Sequence, residues 1–371
     1  MKQRPRILLL IPHLGGGGAE QVTLLLAQNL SAEKYDLDLG LVAQKSADAW
    51  PVPASVTVHA LGARRVRSGA LALLRLIWRL RPDLILSSMA HLNFLVLLLR
   101  PFFPSGTHIL IRQNSTVSSS LASGELPVWT PLMYRLLYGR ADRVICQSSA
   151  MAKDIRKEIG ISPRKLAVLP NPVDLEGLRA LAASAPIRWT GPGPHLLAVG
   201  RLSAQKGFDL LLQALALVKL RYPSADMTIA GTGPEEDALK ARCRALGIDT
   251  AVRFPGHVES PATYFAGASI FVVSSRQEGL PNALLEAAAA GLPVAALPAS
   301  VGMVDLIGGR PGVQVAREPS ASALAESLAA SLETLRPGER FRHDWINEFQ
   351  LDRAVHLYED LIDATLLENC T

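Results

Sequence analysis

The sequence predicts an α/β protein built from two doubly wound parallel-sheet domains, and three observations carry that prediction. Short β-type runs alternate with helix-length amphipathic runs along nearly the whole chain, the pattern of parallel strands covered by helices. At 371 residues the chain exceeds one ordinary core and divides naturally into two. Pro186, Gly191, Pro192, Gly193 and Pro194 form its densest turn chemistry, and the strand and helix series starts afresh behind them.

In the first half the strand candidates are Ile7 to Ile11, Leu37 to Val42, Leu84 to Ser87, His108 to Ile111, Arg143 to Gln147 and Leu166 to Leu169. The run at Ile7, behind Lys2, Arg4 and Arg6, is too short for a signal-peptide core and reads as the first strand. Helices fit between strands, as at Ala19 to Leu30 and Ala150 to Ile159. The second series has strands at His195 to Val199, Met227 to Ala230, Val252 to Phe254, Ile270 to Val273 and Val294 to Leu297, with helical runs such as Phe208 to Arg221. The expected division is 1–185, 186–348 and a last helix within 349–371 that is the candidate to cross back to the first domain. Two such domains imply an interdomain cleft, with ligands beyond the carboxyl ends of the strands.

Composition narrows the function. Hydrophobic residues make up 49% of the chain, which supplies ample core and leaves no disordered tract. Cys146, Cys243 and Cys370 stand far apart without a CxxC, against a disulfide framework or a zinc site and in keeping with a reducing cytoplasm. The apolar run Leu92 to Leu99 is far below the roughly 20 residues of a spanning helix. Residues 1–175 hold 21 Lys and Arg against 11 Asp and Glu, whereas the rest hold 17 against 22. A basic half suits anionic lipid or nucleic acid, but 5% aromatic content leaves little to stack on bases. Arg64, Arg65, Arg67, Arg75, Arg79, Arg81 and Arg100 interleave with Leu71, Leu73, Leu74, Leu76, Ile77 and Trp78. Two readings stay open here, a helix lying on a membrane surface and a core-facing stripe with a solvated basic rim.

Two loops carry the candidate chemistry. Ser274 to Asn282, then Ala283 to Gly291 and Pro293, reads as strand, loop, short helix and stop, with an anion-receptive helix start around Gly279 to Asn282. Glu286 lies in an Ala- and Leu-rich helix, so its carboxylate is buried and needs partners, either a ligand diol or protein donors. Gly200 to Gly207 places Arg201 and Lys206 between a strand and a helix, a planar fork and a point charge suited to a pyrophosphate or, alternatively, a solvated helix start. Neither GxxxxGK[ST] nor GxGxxG is present, which removes the usual signatures of nucleotide hydrolysis and NAD chemistry.

Together GGAE (Gly17 to Glu20), NPVD (Asn171 to Asp174), GRLSAQKG (Gly200 to Gly207), GTGP (Gly231 to Pro234) and EGLPNALLE (Glu278 to Glu286) resemble family 4 glycosyltransferases, retaining enzymes of the GT-B fold with two Rossmann-like domains. The resemblance spans both halves and implies a nucleotide-sugar donor, UDP favoured, in the second domain and a saccharide acceptor in the first; the apolar run Pro127 to Leu137 and the basic stretch near Arg64 to Arg81 suit an acceptor linked to a polyprenyl carrier. It implies that Arg201 and Lys206 hold the pyrophosphate, that Glu286 binds the ribose and that Glu278 contacts the transferred sugar. Arg201, Lys206 and Glu278 are the implied catalytic set. Gly231, Thr232, Gly279, Leu280, Pro281 and Asn282 would line the donor, and Gly17 and Gly18 would let backbone approach it. No bound cofactor is implied, and the cation loop makes an essential metal unnecessary.

Where many relatives carry a histidine after a central strand, this chain reads Arg112-Gln113-Asn114, so Arg112 and Asn114 become acceptor candidates, with His91 as a competitor. Ser115 to Ser120 and Gly124 read as a flexible acceptor loop beside the apolar run Pro127 to Leu137. Asp36-Leu37-Asp38 matches the text of a metal-binding DxD but reads as a solvated strand edge. The expectation is a peripheral enzyme on the cytoplasmic face that touches anionic lipid through its first domain. The alternatives are a sugar-nucleotide 2-epimerase of the same fold and a non-catalytic glycan- or nucleic-acid-binding protein.

Overall fold

The computed structural model describes residues 4–14, 17–43, 52–122, 127, 129–258, 260–334 and 340–368. The chain forms two compact units, one running to Pro172 and resuming at Leu351, the other spanning Val173–Gln350.

The first unit has strands β1 (Arg6–Ile11), β2 (Asp36–Ala43), β3 (Thr57–Ala63), β4 (Leu84–Ser88), β5 (His108–Arg112), β6 (Arg143–Cys146) and β7 (Leu166–Val168). Its helices are α1 (Gly18–Asn29), α2 (Ala70–Leu80), α3 (Ala90–Leu99), α4 (Val117–Ala122), α5 (Thr130–Leu137) and α6 (Ser149–Ile159). All pairs are parallel in the order β3-β2-β1-β4-β5-β6-β7. The winding therefore runs outward from β1 and then reverses, leaving a switch point between β1 and β4. Along β1, Leu8 and Leu10 join the core beneath α2, α3 and α5, while Ile7, Leu9 and Ile11 join the core beneath α1. A strand covered on both faces is apolar at every position, which is why this run is so uniform.

The second unit contains β8 (His195–Val199), β9 (Asp226–Ala230), β10 (Val252–Arg253), β11 (Ile270–Val273), β12 (Val294–Ala296) and β13 (Val313–Val315). Its helices are α7 (Leu175–Ser184), α8 (Phe208–Lys219), α9 (Glu236–Ala245), α10 (Asn282–Ala289), α11 (Val301–Ile307) and α12 (Ala321–Thr334). The parallel order β10-β9-β8-β11-β12-β13 puts its switch point between β8 and β11. The last helix, α13 (Leu351–Leu367), packs in the first unit, where Val355, Tyr358 and Ile362 enter the core beneath α1. Glu359 anchors it by accepting from the Ser31 amide at 2.9 Å and from Lys34 Nζ at 2.6 Å.

Three expectations change. The boundary moves from 185 to 172, because α7, capped by Asp174 on the Gly177 amide at 2.9 Å, buries Leu175 and rests Leu178 and Ala182 on the second unit's core. β3 and β13 escape the sequence pattern: both are edge strands, and β3 reads Thr57-Val58-His59-Ala60-Leu61-Gly62-Ala63 with no fully buried residue. Asp36-Leu37-Asp38 is no solvated edge, since β2 has a neighbour on each side and Asp38 is buried against His59 Nε2 at 2.6 Å. The Arg6 guanidinium lies 3.6 Å from the same carboxylate, so Asp38 is committed to ion pairing at the amino end of the sheet.

Candidate active site

The second unit's switch point is where the two loops singled out from sequence meet. β8 ends at Val199 and β11 at Val273, and the segments that follow them are tied together. The Arg276 amide donates to the Gln205 carbonyl at 2.8 Å, Gln205 Nε2 donates to the Gln277 carbonyl at 3.0 Å, and Ser274 Oγ donates to the Lys206 carbonyl at 2.9 Å. The Arg276 guanidinium makes two bonds of 2.7 Å to the Asp209 carboxylate. That pairing holds the Asp209 carboxyl below its ordinary pKa and raises Arg276. Gly207 adopts φ 62° in the left-handed region, and a Cβ there would sit 2.1 Å from the Ser274 carbonyl oxygen, so no side chain fits between the loops.

The Gly231 to Pro234 turn closes the third side. The Leu202 amide donates to the Thr232 carbonyl at 2.9 Å, and a Cβ on Gly231 would lie 1.9 Å from the Gly200 carbonyl oxygen. The glycines of this motif are thus explained by loop against loop, with the exposed Thr232 side chain left outward.

On this frame Lys206 Nζ forms an ion pair with Glu278 Oε1, which also accepts from Ser275 Oγ at 3.0 Å. The Lys206 and Glu278 side chains are largely enclosed, whereas Arg201 is exposed and has no side-chain partner among the described residues. α10 starts at Asn282 behind Pro281, with Gly291 left-handed at its far end, and directs its amino terminus at the same loop. Glu286 is 6% exposed on that helix and is engaged in polar contact. Gly279 is held through its carbonyl by Ser300 Oγ at 3.2 Å, and Leu280 is buried in the apolar core. The site therefore holds a balanced lysine and carboxylate, an unbalanced arginine, and a helix start that favours anions. Among the described residues no three His, Cys, Asp or Glu side chains gather as metal ligands would.

The residues expected on the acceptor side separate. Arg112 is buried and each of its three nitrogens is engaged: Nε donates to Tyr358 Oη at 3.2 Å, Nη1 to Asn114 Oδ1 at 2.7 Å, and Nη2 to Asn171 Oδ1. It braces the first unit and fixes Asn114, which corrects the expectation of an acceptor contact. Asn114 stays partly open and donates to Ser88 Oγ at 3.3 Å. The supposed flexible loop is also ordered in its described part, as α4, with Asp154 Oδ2 accepting from the Val117 amide at 2.6 Å; Gly124 lies outside the described residues.

At the first unit's switch point His91 stands after β4 and His13 after β1. Partial desolvation, then the nearby His13 imidazole, hold His91 below its ordinary pKa. His13 Nδ1 lies 3.8 Å from the buried Glu20 carboxylate. Glu20 folds back over the start of α1, so a Cβ on Gly17 would meet it at 2.1 Å, and Gly18 opens the helix. Met89 precedes α3 with φ 79°, a strained conformation for a residue with a side chain. His13 lies outside the segments that the sequence marks, and within the Ser274 to Asn282 loop Ser275 and Arg276 carry no motif role of their own. Their signal is position, since each follows a strand on the ligand side.

Residues 16–176 match the model of Glycosyltransferase Family 4, and 193–334 match that of Glycosyl transferases group 1. The chain belongs to the group 1 glycosyltransferases of family 4. An N-acetylgalactosaminyltransferase of Campylobacter jejuni, named for a diacetylbacillosaminyl-diphospho-undecaprenol substrate, is 27% identical over 81% of this chain and 82% of its own length. An uncharacterized glycosyltransferase of Haemophilus influenzae is 38% identical, over 30% of this chain and 32% of its own. The fold is GT-B: the sucrose-phosphate synthase of Thermosynechococcus elongatus superposes with TM-score 0.81 at 18% identity, covering 97% of this chain and 100% of that one. HepE of Anabaena, solved with UDP and glucose, gives 0.77 at 16% identity and covers 97% and 100%.

Proposed function

We propose that the protein transfers a sugar from a UDP-sugar to a lipid-linked saccharide, with retention of anomeric configuration and without a metal, at the cytoplasmic face of a membrane. The observation that carries the reading is the meeting of Lys206, Glu278 and Arg201 at the second unit's switch point, beside the amino end of α10. Breaking the bond between sugar carbon and nucleotide oxygen leaves negative charge on the diphosphate. Lys206 and Arg201 oppose that charge from fixed positions, which is the task a divalent cation performs elsewhere. Before donor binds, Glu278 neutralises Lys206. With donor in place the ammonium turns to the diphosphate and the carboxylate accepts from sugar hydroxyls, so the ion pair stores both partners in register. Glu286, on the buried face of α10, accepts from the ribose diol.

The choice of UDP rests on the UDP-bound Anabaena neighbour, and the lipid-linked acceptor on the substrate named for the Campylobacter relative. The test has two arms. UDP, GDP and their sugars are screened for a rise in melting temperature, since a ligand of the folded state alone raises it with occupancy. The sugar nucleotide that stabilises most is then incubated with and without undecaprenyl-diphosphate saccharides. Acceptor-dependent release of UDP supports transfer. Conversion of donor to its 2-epimer without acceptor refutes transfer in favour of isomerisation.

A further inference from the structure

We propose that the outer faces of α2, α3 and α5 form one docking surface for an anionic lipid bilayer. This deepens the reading of a lipid-linked acceptor. The three helices cover the same side of the first unit's sheet, with α3 in contact with both α2 and α5. Their inward residues, such as Leu76 and Ile77 on α2 and Tyr134 and Leu137 on α5, are buried in one core. The core-facing reading of the basic stretch is therefore right for that half of α2 and leaves its other half to explain.

Outward, Trp78, Leu98, Phe102, Trp129, Leu132 and Leu136 are 49 to 61% exposed. They are grouped along the helices. The Trp78 indole N–H donates to the Phe102 carbonyl at 2.9 Å, which joins α2 to the segment after α3. Leu132 and Leu136 stand one turn apart on α5 and present to one side, and Leu98 near the end of α3 is followed by Phe102 in the turn just beyond it. Single exposed apolar residues are ordinary, but a set spread over adjoining helices marks a docking face.

Charge selects the occupant. Residues 64–143 contain no lysine and eleven arginines, of which Arg112 is buried and Arg100 and Arg143 are ion-paired, against three acidic residues. Arg75 and Arg79 are exposed on the helix that carries Trp78, and Arg135 lies between Leu132 and Leu136 on α5. Guanidinium forks bind phosphate, indole rings favour the boundary between headgroup and acyl chain, and leucines enter the boundary itself. A nucleic acid would meet the charge but leave the leucines in water. No helix among the described residues is long and apolar enough to cross a membrane, so this contact is peripheral.

The test is co-sedimentation of the full chain with vesicles of phosphatidylcholine alone and with about one part in three of phosphatidylglycerol. The expected result is binding to the anionic vesicles only, weakened roughly tenfold by high salt. Arg75→Glu with Arg135→Glu should reduce the partition coefficient at least about tenfold. Leu132→Ser with Leu136→Ser should reduce it while keeping the native melting temperature, because these side chains hold no core. Equal binding to neutral vesicles, or unchanged partition in both variants, would overturn the assignment. So would a wild-type dimer that the leucine variant converts to monomer without vesicle binding, which would give the face to a second copy. The rise in melting temperature on adding UDP should be identical in all variants, so loss of docking and failure of the donor reading register separately.

Discussion

The two units are wound alike and differ in what they place at the point where the winding reverses. In the second unit the switch point between β8 and β11 is a braced set of charges, with Lys206 on Glu278 and with Arg276 on Asp209 holding the loops together. In the first, the switch point between β1 and β4 carries two imidazoles, His13 and His91, near a single buried carboxylate, and its strongest bracing, through Arg112, is buried within the unit. Fixed full charges suit a ligand whose charge is constant and concentrated, such as a diphosphate. Imidazole and amide side chains, which can both donate and accept, suit hydroxyl groups, which ask for hydrogen bonds more than for field.

Removing the lysine tests this contrast most severely. Lys206→Ala should lower turnover about a hundredfold through loss of transition-state charge compensation, with the native circular dichroism spectrum retained and the melt lowered by the unpaired Glu278. Near-normal turnover in the folded variant would show that Arg201 alone suffices. An effect of similar size, on folding, is expected at Gly231→Ala: its Cβ would meet the Gly200 carbonyl at 1.9 Å, two rigid backbones in contact, and about 3 kcal/mol should be lost in denaturant melts. An unperturbed midpoint would mean that the turn can slide and that the glycine serves the ligand instead.

Arg112→Met distinguishes bracing from binding in the first unit. It leaves Asn171, Asn114 and Tyr358 without their shared donor and should cost about 2 kcal/mol of stability, with the KM for acceptor moving little in the fraction that stays folded. A large KM change at wild-type stability would restore Arg112 to the acceptor site. The gentlest expectation concerns acid. Asp209 titrates below its ordinary value in the folded state, so its contribution is complete above the unfolded carboxyl value of about 4 and disappears as pH falls through the depressed folded value. Asp209→Asn should flatten that part of a stability profile and leave the neutral region nearly level. A steep acid limb in the variant would move the effect to other carboxylates.

Both sheets were readable because their central strands are continuous apolar runs closed by turn residues, and the 200–207 and 274–286 segments because charged residues beside glycines at strand ends stand out from the apolar pattern. The edge strands β3 and β13 were not readable: a strand with one neighbour and a wet face needs no apolar run. The first unit's site was the least readable part. Arg112 has the residue type of a binder, and only its surroundings make it a brace.

The sequence alone determined the α/β class and the two series of strands and marked out the 200–207 and 274–286 segments, since periodicity and local motif are properties of neighbours along the chain. Tertiary structure decided the rest. It paired Lys206 with Glu278 across 72 positions of chain, moved α7 into the second unit, folded α13 onto the first and spent Arg112 on Tyr358. Those outcomes depend on which surfaces meet, and a side chain's partner, unlike its periodicity, is set by contacts far away in sequence.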